Sequence, residues 1–360
     1  MRIALACGGT GGHVFPGITV GETLRERGHE VTLWVTRRDV ENVSLKAWNG
    51  KTQAVSSRGF PSGFSLKYPV RLLGTLAGFM EARRLMKRNL PDVLLAMGGY
   101  ASLAPGLAAF SLDVPLALHE ANAVPGKAVS FMARKARTVA VSFEGTGAYL
   151  PNVKCVVTGF PVRRDLAGRL EGAGLAPGIP VVMTVGGSQG ARFLDETVSE
   201  AVCKAAVRGA GIQVIHLARP ENVERIRSRY RQSEVSGPVY GFLKEIGRAY
   251  NSADFAVARA GAGTCAELKA CRLPALLVPL PSARRDHQTL NAIEMRKTGG
   301  IDFVSQDKLN SDFLADYLEN LCKNPDVLRR RAKALESGGM CNAAEKIADI
   351  VEETVGIGSL

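Results

Sequence analysis

Short apolar runs alternate with helical patterns along the whole chain. The run Ile3–Cys7 precedes a helical pattern from about Pro16 to Arg27, and Gly28 separates this pattern from the strand-like Val31–Val35. Proline in the first turn of a helix and glycine just past its end are the expected asymmetry. This alternation predicts parallel sheets with helices on both faces.

The second half of the chain repeats the pattern, with strand-like runs at Val181–Val185, Gln213–Leu217, Phe255–Ala258 and Ala275–Val278. A chain of 360 residues exceeds what one core usually organises. The sequence therefore predicts an α/β protein with two Rossmann-like, doubly wound parallel-sheet domains facing each other across a cleft.

The domain boundary is predicted near Gly159–Arg163, after the strand-like Cys155–Thr158. This gives a first domain over residues 1–160 and a second over 161–339. An amphipathic helix is predicted from about Asn342 to Val355, within a final segment 340–356. Its pattern alone does not show on which domain it packs.

Each half begins with a glycine-rich loop directly after an apolar run. The loops are Gly8–His13 and Gly186–Ala191, and their first glycines are 178 positions apart. A strand, a glycine cluster and a helix start bring bare backbone N–H groups to an anionic group. One such unit is a weak signal, but two units half a chain apart indicate two similar domains.

A third glycine cluster lies between Phe255–Ala258 and the next helical pattern. Here the amides of Ala262, Gly263 and Thr264 can bind a phosphate, and Glu267 follows one turn later. A carboxylate there can accept hydrogen bonds from both hydroxyls of a ribose on that phosphate. Taken alone, Glu267 could equally be a solvated charge on a helix.

Composition limits the class of protein. Apolar residues make up 46% of the chain and charged residues 22%, as in ordinary folded proteins. The seven cysteines show no C-x-x-C spacing, so we expect reduced core residues in a cytosolic protein. The first residues form a strand pattern, and we expect no secretory signal.

One uncharged stretch, residues 93–112, is long enough to cross a bilayer. It contains Gly98, Gly99, Pro105 and Gly106, and its first half resembles a strand. A strand, a glycine loop and a buried helix are therefore the favoured interpretation, with a membrane span as the alternative.

The net charge of +12 is uneven, because residues 51–90 hold eight basic residues and one acidic residue, Glu81. Such a field attracts anionic lipid, anionic substrate or nucleic acid. Aromatic residues are only 6% of the chain, without the repeated stacking arrangement that single strands need, so nucleic acid is not an expected partner.

Two alternatives from other classes fit these loops less well. A dinucleotide-dependent oxidoreductase could use Asp39 for the ribose, but residue 14 is Val where the fingerprint needs glycine. A non-catalytic basic protein that binds lipid or nucleic acid would have no use for Glu267 behind a glycine loop.

Several motifs together resemble the MurG family, the bacterial N-acetylglucosaminyltransferases that make lipid II. The similarity extends from residue 3 to about 350, and its motifs occur in the family's order: Gly8–His13, Met97–Tyr100, His119–Asn122, Gly159–Arg163, Gly186–Ala191, Arg259–Glu267 and His287–Gln288. The chain has Ala121, Phe160 and Ala260 where the family commonly has Gln, Asn and Ser.

The resemblance implies a GT-B fold, with UDP-N-acetylglucosamine as donor and undecaprenyl-pyrophosphoryl-MurNAc-pentapeptide (lipid I) as acceptor. It also implies that the final helix crosses back to the first domain. The residues expected to bind substrate are Thr10, Gly11, Gly12, Asn122, Arg163, Ser188, Leu243, Ala262, Gly263, Thr264, Glu267, His287 and Gln288.

An inverting transfer needs a base for the acceptor 4-hydroxyl and donors that stabilise the departing UDP. His13 can titrate near neutral pH and is our candidate base, although it could merely contact substrate. Glu120 is the second catalytic candidate. No D-x-D motif lies in a suitable loop, so the sequence predicts neither a metal nor a cofactor.

A lipid acceptor would account for the positive charge of the first domain. Apolar residues stand among basic ones over residues 66–86, a pattern that can dock on an anionic bilayer without crossing it. A core helix with a solvated basic face is the alternative for this segment. We expect peripheral attachment at the cytoplasmic face of the inner membrane.

Overall fold

A computed structural model describes residues 1–9, 11–39, 45, 48–57, 68–187, 190–336 and 342–356, without the side chains of 68–73. Thr10, Ser188, Leu66 and Lys67 therefore lie outside the description. The chain divides into two compact units, Met1–Arg163 with Cys341–Leu360, and Arg164–Met340.

The first unit is built on a parallel sheet. Within the described residues its strands are β1 (Arg2–Ala6), β2 (Glu30–Thr36), β3 (Lys51–Val55), β4 (Val93–Ala96), β5 (Leu116–Glu120), β6 (Thr138–Val141) and β7 (Cys155–Val157). They are arranged in the order β3-β2-β1-β4-β5-β6-β7, and Ile3 is in register with both Val31 and Val93. The order reverses between β1 and β4, where open α/β sheets bind ligands.

Helices cover both faces of this sheet. They are α1 (Gly11–Glu26), α2 (Tyr68–Arg88), α3 (Leu103–Ser111) and α4 (Lys127–Met132), with 3₁₀ turns at Tyr100–Ser102, Ala133–Lys135 and Glu144–Tyr149. Both faces are covered because the strands are nearly continuous apolar runs, as in buried parallel sheets.

The predicted start of the first helix is wrong. The helix begins at Gly11, so Pro16 lies inside it and His13 stands in its first turn. Only Gly8 and Gly9 of the first glycine cluster have left-handed φ angles, +148° and +88°. Gly11 and Gly12 already have helical backbone, which the glycine cluster in the sequence does not reveal.

The second unit repeats the topology. Its strands are β8 (Val181–Val185), β9 (Gln213–Leu217), β10 (Val239–Tyr240), β11 (Phe255–Ala258), β12 (Ala275–Leu277) and β13 (Ile301–Phe303), in the order β10-β9-β8-β11-β12-β13. Its helices are α5 (Arg192–Val207), α6 (Val223–Gln232), α7 (Ile246–Ser252), α8 (Ala262–Ala270), α9 (His287–Arg296), α10 (Ser311–Lys323) and α11 (Pro325–Glu336), with 3₁₀ turns at Pro220–Asn222, Arg284–Asp286 and Gln306–Lys308.

The last helix, α12 (Ala343–Gly356), packs on the first unit against α1 and the strands β4, β5 and β6. Ile347 and Val351 are fully buried in the core that also holds Leu5. Arg27, just after α1, donates to Asp349 Oδ1 at 2.7 Å and to Glu345 Oε2 at 2.5 Å. Apolar burial and these ion pairs together fasten the end of the chain to the first unit.

The long uncharged stretch forms β4, a 3₁₀ turn and α3, as the favoured interpretation of residues 93–112 predicts. Across the described part of the chain, no helix has the length and apolar character to cross a membrane. The two doubly wound parallel sheets confirm the predicted α/β class.

Candidate functional site

In both units most of the predicted site residues that the structure describes lie beyond the carboxyl ends of the strands, near the point where the strand order reverses. In the first unit, β1 leads to Gly8 and Gly9 while β4 leads to Gly98 and Gly99. In the second unit the corresponding strands are β8 and β11. Parallel strands place all their carboxyl ends at one edge, so residues distant in sequence meet there.

A buried carboxylate holds the first glycine loop. The backbone N–H of Gly9 donates to Asp39 Oδ2 at 2.8 Å, and the Thr36 hydroxyl donates to the same oxygen at 2.6 Å. A Cβ at Gly8 would lie 2.5 Å from that oxygen. Asp39, the acid considered for a dinucleotide ribose, therefore contacts the loop itself.

His13 lies over a second glycine pair. Its Nδ1 is 3.1 Å from the Met97 carbonyl oxygen, and a Cβ at Gly99 would lie 3.0 Å from Nε2. Gly98 and Gly99 have φ angles of +84° and +70°, which side chains rarely adopt. Two glycines thus allow the imidazole to approach the end of β4.

The protonation of His13 follows from these contacts. A carbonyl oxygen only accepts, so Nδ1 must carry the proton and Nε2 keeps its lone pair. Burial lowers the pKa of His13 below 6.5, although the hydrogen bond to Met97 opposes the shift. At neutral pH the ring is therefore neutral, with Nε2 able to accept a proton.

Glu120 organises the loop that follows β5. Its Oε1 accepts from the backbone N–H and the side-chain amide of Asn122, at 2.9 and 3.2 Å, and its Oε2 accepts from the Gly126 N–H at 2.9 Å. Burial raises the pKa of Glu120, and these hydrogen bonds oppose the rise. The carboxylate fixes the position of Asn122.

His119 is a buried neighbour to which sequence reasoning assigned no role. Its ring is fully buried, Nε2 is 3.3 Å from the Ser142 hydroxyl, and the ring meets Phe160 edge-on at 6.0 Å. Burial lowers the pKa of His119 to about 3, so the residue is neutral. In the sequence, the one sign of this residue's importance is that a histidine directly follows a strand-like apolar run.

Arg163 also belongs to the first unit, where its guanidinium lies 4.4 Å from the centre of the Phe15 ring in α1. Gly11 and Gly12 form the first turn of the same helix. The structure thus brings His13, Gly11, Gly12 and Arg163 together around the start of α1.

In the second unit, the N-terminus of α8 points out from the end of β11. Gly261 is its N-cap and makes no side-chain cap, and the first backbone bond of the helix runs from Cys265 N to Gly261 O at 2.9 Å. The N–H groups of Ala262, Gly263 and Thr264 therefore have no acceptor within the helix. Such N–H groups, with the positive end of the helix dipole, attract an anion.

Glu267 lies one turn further along α8 and is half-buried. Its Oε2 accepts a hydrogen bond of 2.9 Å from the hydroxyl of Tyr250, which lies in α7. Tyr250 is a further residue that the sequence pattern did not single out.

Gly190, near the end of the second glycine loop, packs on the segment that follows β9. Gly190 has a φ of +66°, and a Cβ there would lie 2.4 Å from Arg219 Cγ. The fully buried Asp195 of α5 fixes that segment, because its Oδ2 accepts from Arg219 N at 3.1 Å and from Asn222 Nδ2 at 2.8 Å. Gly190 thus lies against a segment held by a buried carboxylate.

His287 and Gln288 begin α9, which packs against α8. His287 Nδ1 is 2.7 Å from the Arg284 carbonyl oxygen, and Gln288 Oε1 accepts from Leu280 N at 2.9 Å. These bonds orient Nε2 of His287 as an acceptor and the amide NH₂ of Gln288 as a donor.

Leu243 lies apart from this group, in the loop after β10 at the edge of the sheet. It is half-buried, whereas the adjacent Phe242 is 76% exposed. The Phe242 ring is therefore largely open to solvent beside Leu243.

Family models match the chain in two blocks. The glycosyltransferase family 28 N-terminal domain matches residues 3–141, and the C-terminal domain matches residues 181–353. Both matches include the glycine loop of their unit.

Full-length relatives are similar to the whole chain. A Rhodospirillum rubrum protein described as UDP-N-acetylglucosamine--N-acetylmuramyl-(pentapeptide) pyrophosphoryl-undecaprenol N-acetylglucosamine transferase is 36% identical, over 98% of this chain and 92% of its own. A Caulobacter vibrioides protein of the same description is 35% identical, over 97% of this chain and 98% of its own.

The crystal structure of Acinetobacter baumannii MurG matches with a TM-score of 0.79 at 27% identity, covering 98% of this chain and 99% of that one. Together with the two doubly wound sheets, this match confirms the predicted GT-B fold class. The chain therefore belongs to glycosyltransferase family 28 and, within it, to the MurG family of N-acetylglucosamine transferases.

Proposed function

We propose that this enzyme transfers N-acetylglucosamine from UDP-N-acetylglucosamine to the 4-hydroxyl of MurNAc in lipid I, with inversion at the sugar carbon, and so forms lipid II. The observation that carries the proposal is the start of α8, where three backbone N–H groups without helical acceptors lie one turn from the carboxylate of Glu267. A nucleoside diphosphate offers the matching anion and ribose diol.

Donor binding is proposed for the second unit. The N–H groups of Ala262, Gly263 and Thr264 bind phosphate oxygens, and Glu267 accepts hydrogen bonds from the ribose hydroxyls. The oriented groups of His287 and Gln288 bind sugar hydroxyls. Leu243 and the exposed Phe242 provide an apolar surface for the uracil ring.

UDP leaves as an anion, and its departure needs donors that are already in place. Besides the start of α8, we assign this role to Arg163 and Ser188. Removing one preorganised donor in sites of this kind typically costs roughly 10²–10³ in rate.

His13 is the proposed base. Its Nε2 takes the proton of the 4-hydroxyl as that oxygen forms a bond to C1 of N-acetylglucosamine, and the bond from C1 to the phosphate oxygen breaks with its electrons passing to UDP. The neutral imidazole, with its proton held on Nδ1 by Met97, supports this role. No metal and no cofactor enter the proposal.

Glu120 is proposed to position Asn122 for the acceptor, because both of its oxygens accept hydrogen bonds from the following loop. It remains the second candidate base. Thr10, Gly11 and Gly12 are proposed to contact the acceptor side of the reacting sugars.

Peripheral attachment to the inner membrane is proposed for α2. Leu76 and Met80 are 54% and 55% exposed, and Arg84 follows at the same helical spacing. Lys87 and Arg88 extend the basic end of the exposed stripe. Apolar residues beside basic ones bind an anionic leaflet without crossing it.

A panel of radiolabelled UDP-sugars with a soluble lipid I analogue tests the reaction. We expect labelled disaccharide product from UDP-N-acetylglucosamine only with the analogue present, and little product from UDP-glucose. Release of label without transfer to the analogue would contradict the proposal.

A further inference from the structure

Tyr250 is a buried tyrosine whose hydroxyl touches the proposed ribose-binding carboxylate. The side chain is 1% exposed, and its helix α7 packs against α8 and β8. A buried phenol hydroxyl needs a partner, and here it donates to Glu267 Oε2 at 2.9 Å.

We propose that Tyr250 is a positioning residue that orients the carboxylate of Glu267 toward the two hydroxyls of the donor ribose. The inference rests on the proposed function, in which Glu267 binds that ribose. Tyr250 itself acts through Glu267 and does not touch the nucleotide.

The geometry explains why a glutamate needs this support. The side chain of glutamate has several rotatable bonds, and a half-buried position leaves room for alternative rotamers. The Tyr250 ring is fixed by packing on all sides, so its hydroxyl holds Oε2 at a defined point. A carboxylate oriented before binding loses less conformational freedom when the ligand arrives.

The hydrogen bond from Tyr250 leaves the Glu267 carboxylate able to accept further hydrogen bonds. Each carboxylate oxygen has two acceptor positions, so Oε2 can accept from Tyr250 and from one ribose hydroxyl at the same time. Since an ionised carboxylate only accepts, the hydroxyl of Tyr250 must be the donor. The hydrogen bond from the phenol therefore also favours the ionised form of Glu267, which accepts the strongest hydrogen bonds from a diol.

The test is the removal of one oxygen atom, Tyr250→Phe, with binding of UDP and of 2′,3′-dideoxy-UDP measured by calorimetry on the full chain. We expect the Kd for UDP to rise about tenfold, as for one hydrogen bond to a charged group. The Kd for the dideoxy compound, which lacks both hydroxyls, should change less than about twofold. In turnover assays KM for the donor should rise while kcat stays within about twofold.

Tyr317→Phe is the matched control. Tyr317 also donates its hydroxyl to a carboxylate in the same unit, Asp302 Oδ2 at 2.7 Å, but Tyr317 lies in α10 and Asp302 in β13. This variant should leave the binding of both nucleotides unchanged. Thermal melts of both variants report the folded state.

Glu267→Gln separates the two hypotheses. If Glu267→Gln weakens UDP but not the dideoxy compound, and Tyr250→Phe weakens both equally or neither, the positioning role is wrong and the proposed function stands. If Glu267→Gln weakens both equally, the ribose role of Glu267 fails and the role of Tyr250 fails with it.

If Tyr250→Phe does not fold, 3,5-difluorotyrosine at position 250 keeps the ring and its hydroxyl while changing the donor strength. It should then shift the Kd for UDP and leave the Kd for the dideoxy compound unchanged. Equal Kd values for UDP in the native and fluorinated proteins would overturn the inference.

Discussion

His13 lies in the first turn of α1 and Glu120 is the last residue of β5, and their hydrogen bonds suit them to different tasks. Glu120 accepts bonds at both oxygens from the loop it precedes. His13 has one nitrogen bound to the Met97 carbonyl oxygen and presents the other as an acceptor. At this scale the hydrogen bonds favour the imidazole, rather than the carboxylate, as the proposed base.

Replacing His13 by Gln should lower kcat by about 10²–10⁴, the usual contribution of a placed base. The Kd for UDP, measured by calorimetry, should stay nearly constant. Because burial lowers the pKa of His13, the base is neutral down to below pH 6.5, and kcat/KM should fall only as the pH drops under that value. The measurement is a pH series of initial rates.

His29→Gln is the control, since His29 lies just beyond the far end of α1, where its Nε2 is 2.8 Å from Glu352 Oε1 of the last helix. Its rates should match those of the unaltered enzyme. If His13→Gln weakens binding and leaves kcat intact, His13 is a binding residue and Glu120 is the next base to test.

At the scale of elements, the proposed site consists of glycine loops and helix N-termini. The loop before α5 depends on Gly190, because its left-handed backbone lies directly against Arg219. The loop before α8 leads into N–H groups that no side chain at the N-cap satisfies. In the proposed function, each loop is a place where backbone, rather than side chain, approaches the ligand.

Gly190→Ala should destabilise the enzyme and weaken UDP binding by about tenfold or more, because the new Cβ would lie 2.4 Å from Arg219 Cγ. Gly178→Ala is the matched control, since Gly178 has a φ of +78° and no heavy atom within 4 Å of an added Cβ. Gly178→Ala should lower the free energy of unfolding by only about 1 kcal/mol, the strain of a side chain on a left-handed backbone.

Thermal melts and UDP calorimetry on both variants provide the comparison. Equal losses of stability in the two variants, with UDP affinity unchanged in both, would show that contact with Arg219 does not matter for the loop.

At the scale of the whole molecule, an enzyme that acts on a lipid-linked acceptor must reach the bilayer surface. The net charge of +7 over residues 51–90 and the exposed stripe of Leu76, Met80 and Arg84 lie in the first unit. In the proposed attachment, this charge draws the protein to an anionic leaflet, and the apolar side chains add contact with it.

The enzyme should co-sediment with vesicles rich in anionic lipid, and salt should weaken binding, because charges are screened within roughly 8–10 Å at physiological ionic strength. Replacing Leu76 and Met80 together by Asp should reduce the bound fraction severalfold, since each change removes apolar contact and adds repulsion.

Val207→Asp is the control for that pair, because Val207 is 78% exposed but lies in the second unit. It should leave the bound fraction unchanged. Equal binding to neutral and anionic vesicles at every salt concentration would count against a role for the basic charge.

The sequence by itself determined the features that depend on neighbours along the chain. Alternating apolar runs and helical patterns define two doubly wound sheets, because period and length are local properties. The glycine cluster before Glu267 predicts an anion site for the same reason, and this site stays a prediction. Strands β9 and β11 have the predicted bounds.

Only the tertiary structure decided what depends on residues far apart in sequence. His13 meets Met97 across 84 positions, Gly9 meets Asp39 across 30, and Tyr250 meets Glu267 through the packing of two helices. The start of α1 at Gly11 and the exposure of Leu76 and Met80 belong to this group too. The first two contacts arise because parallel strands bring their carboxyl ends to one edge, and the third because α7 packs against α8. No local pattern encodes which side chains meet in these places.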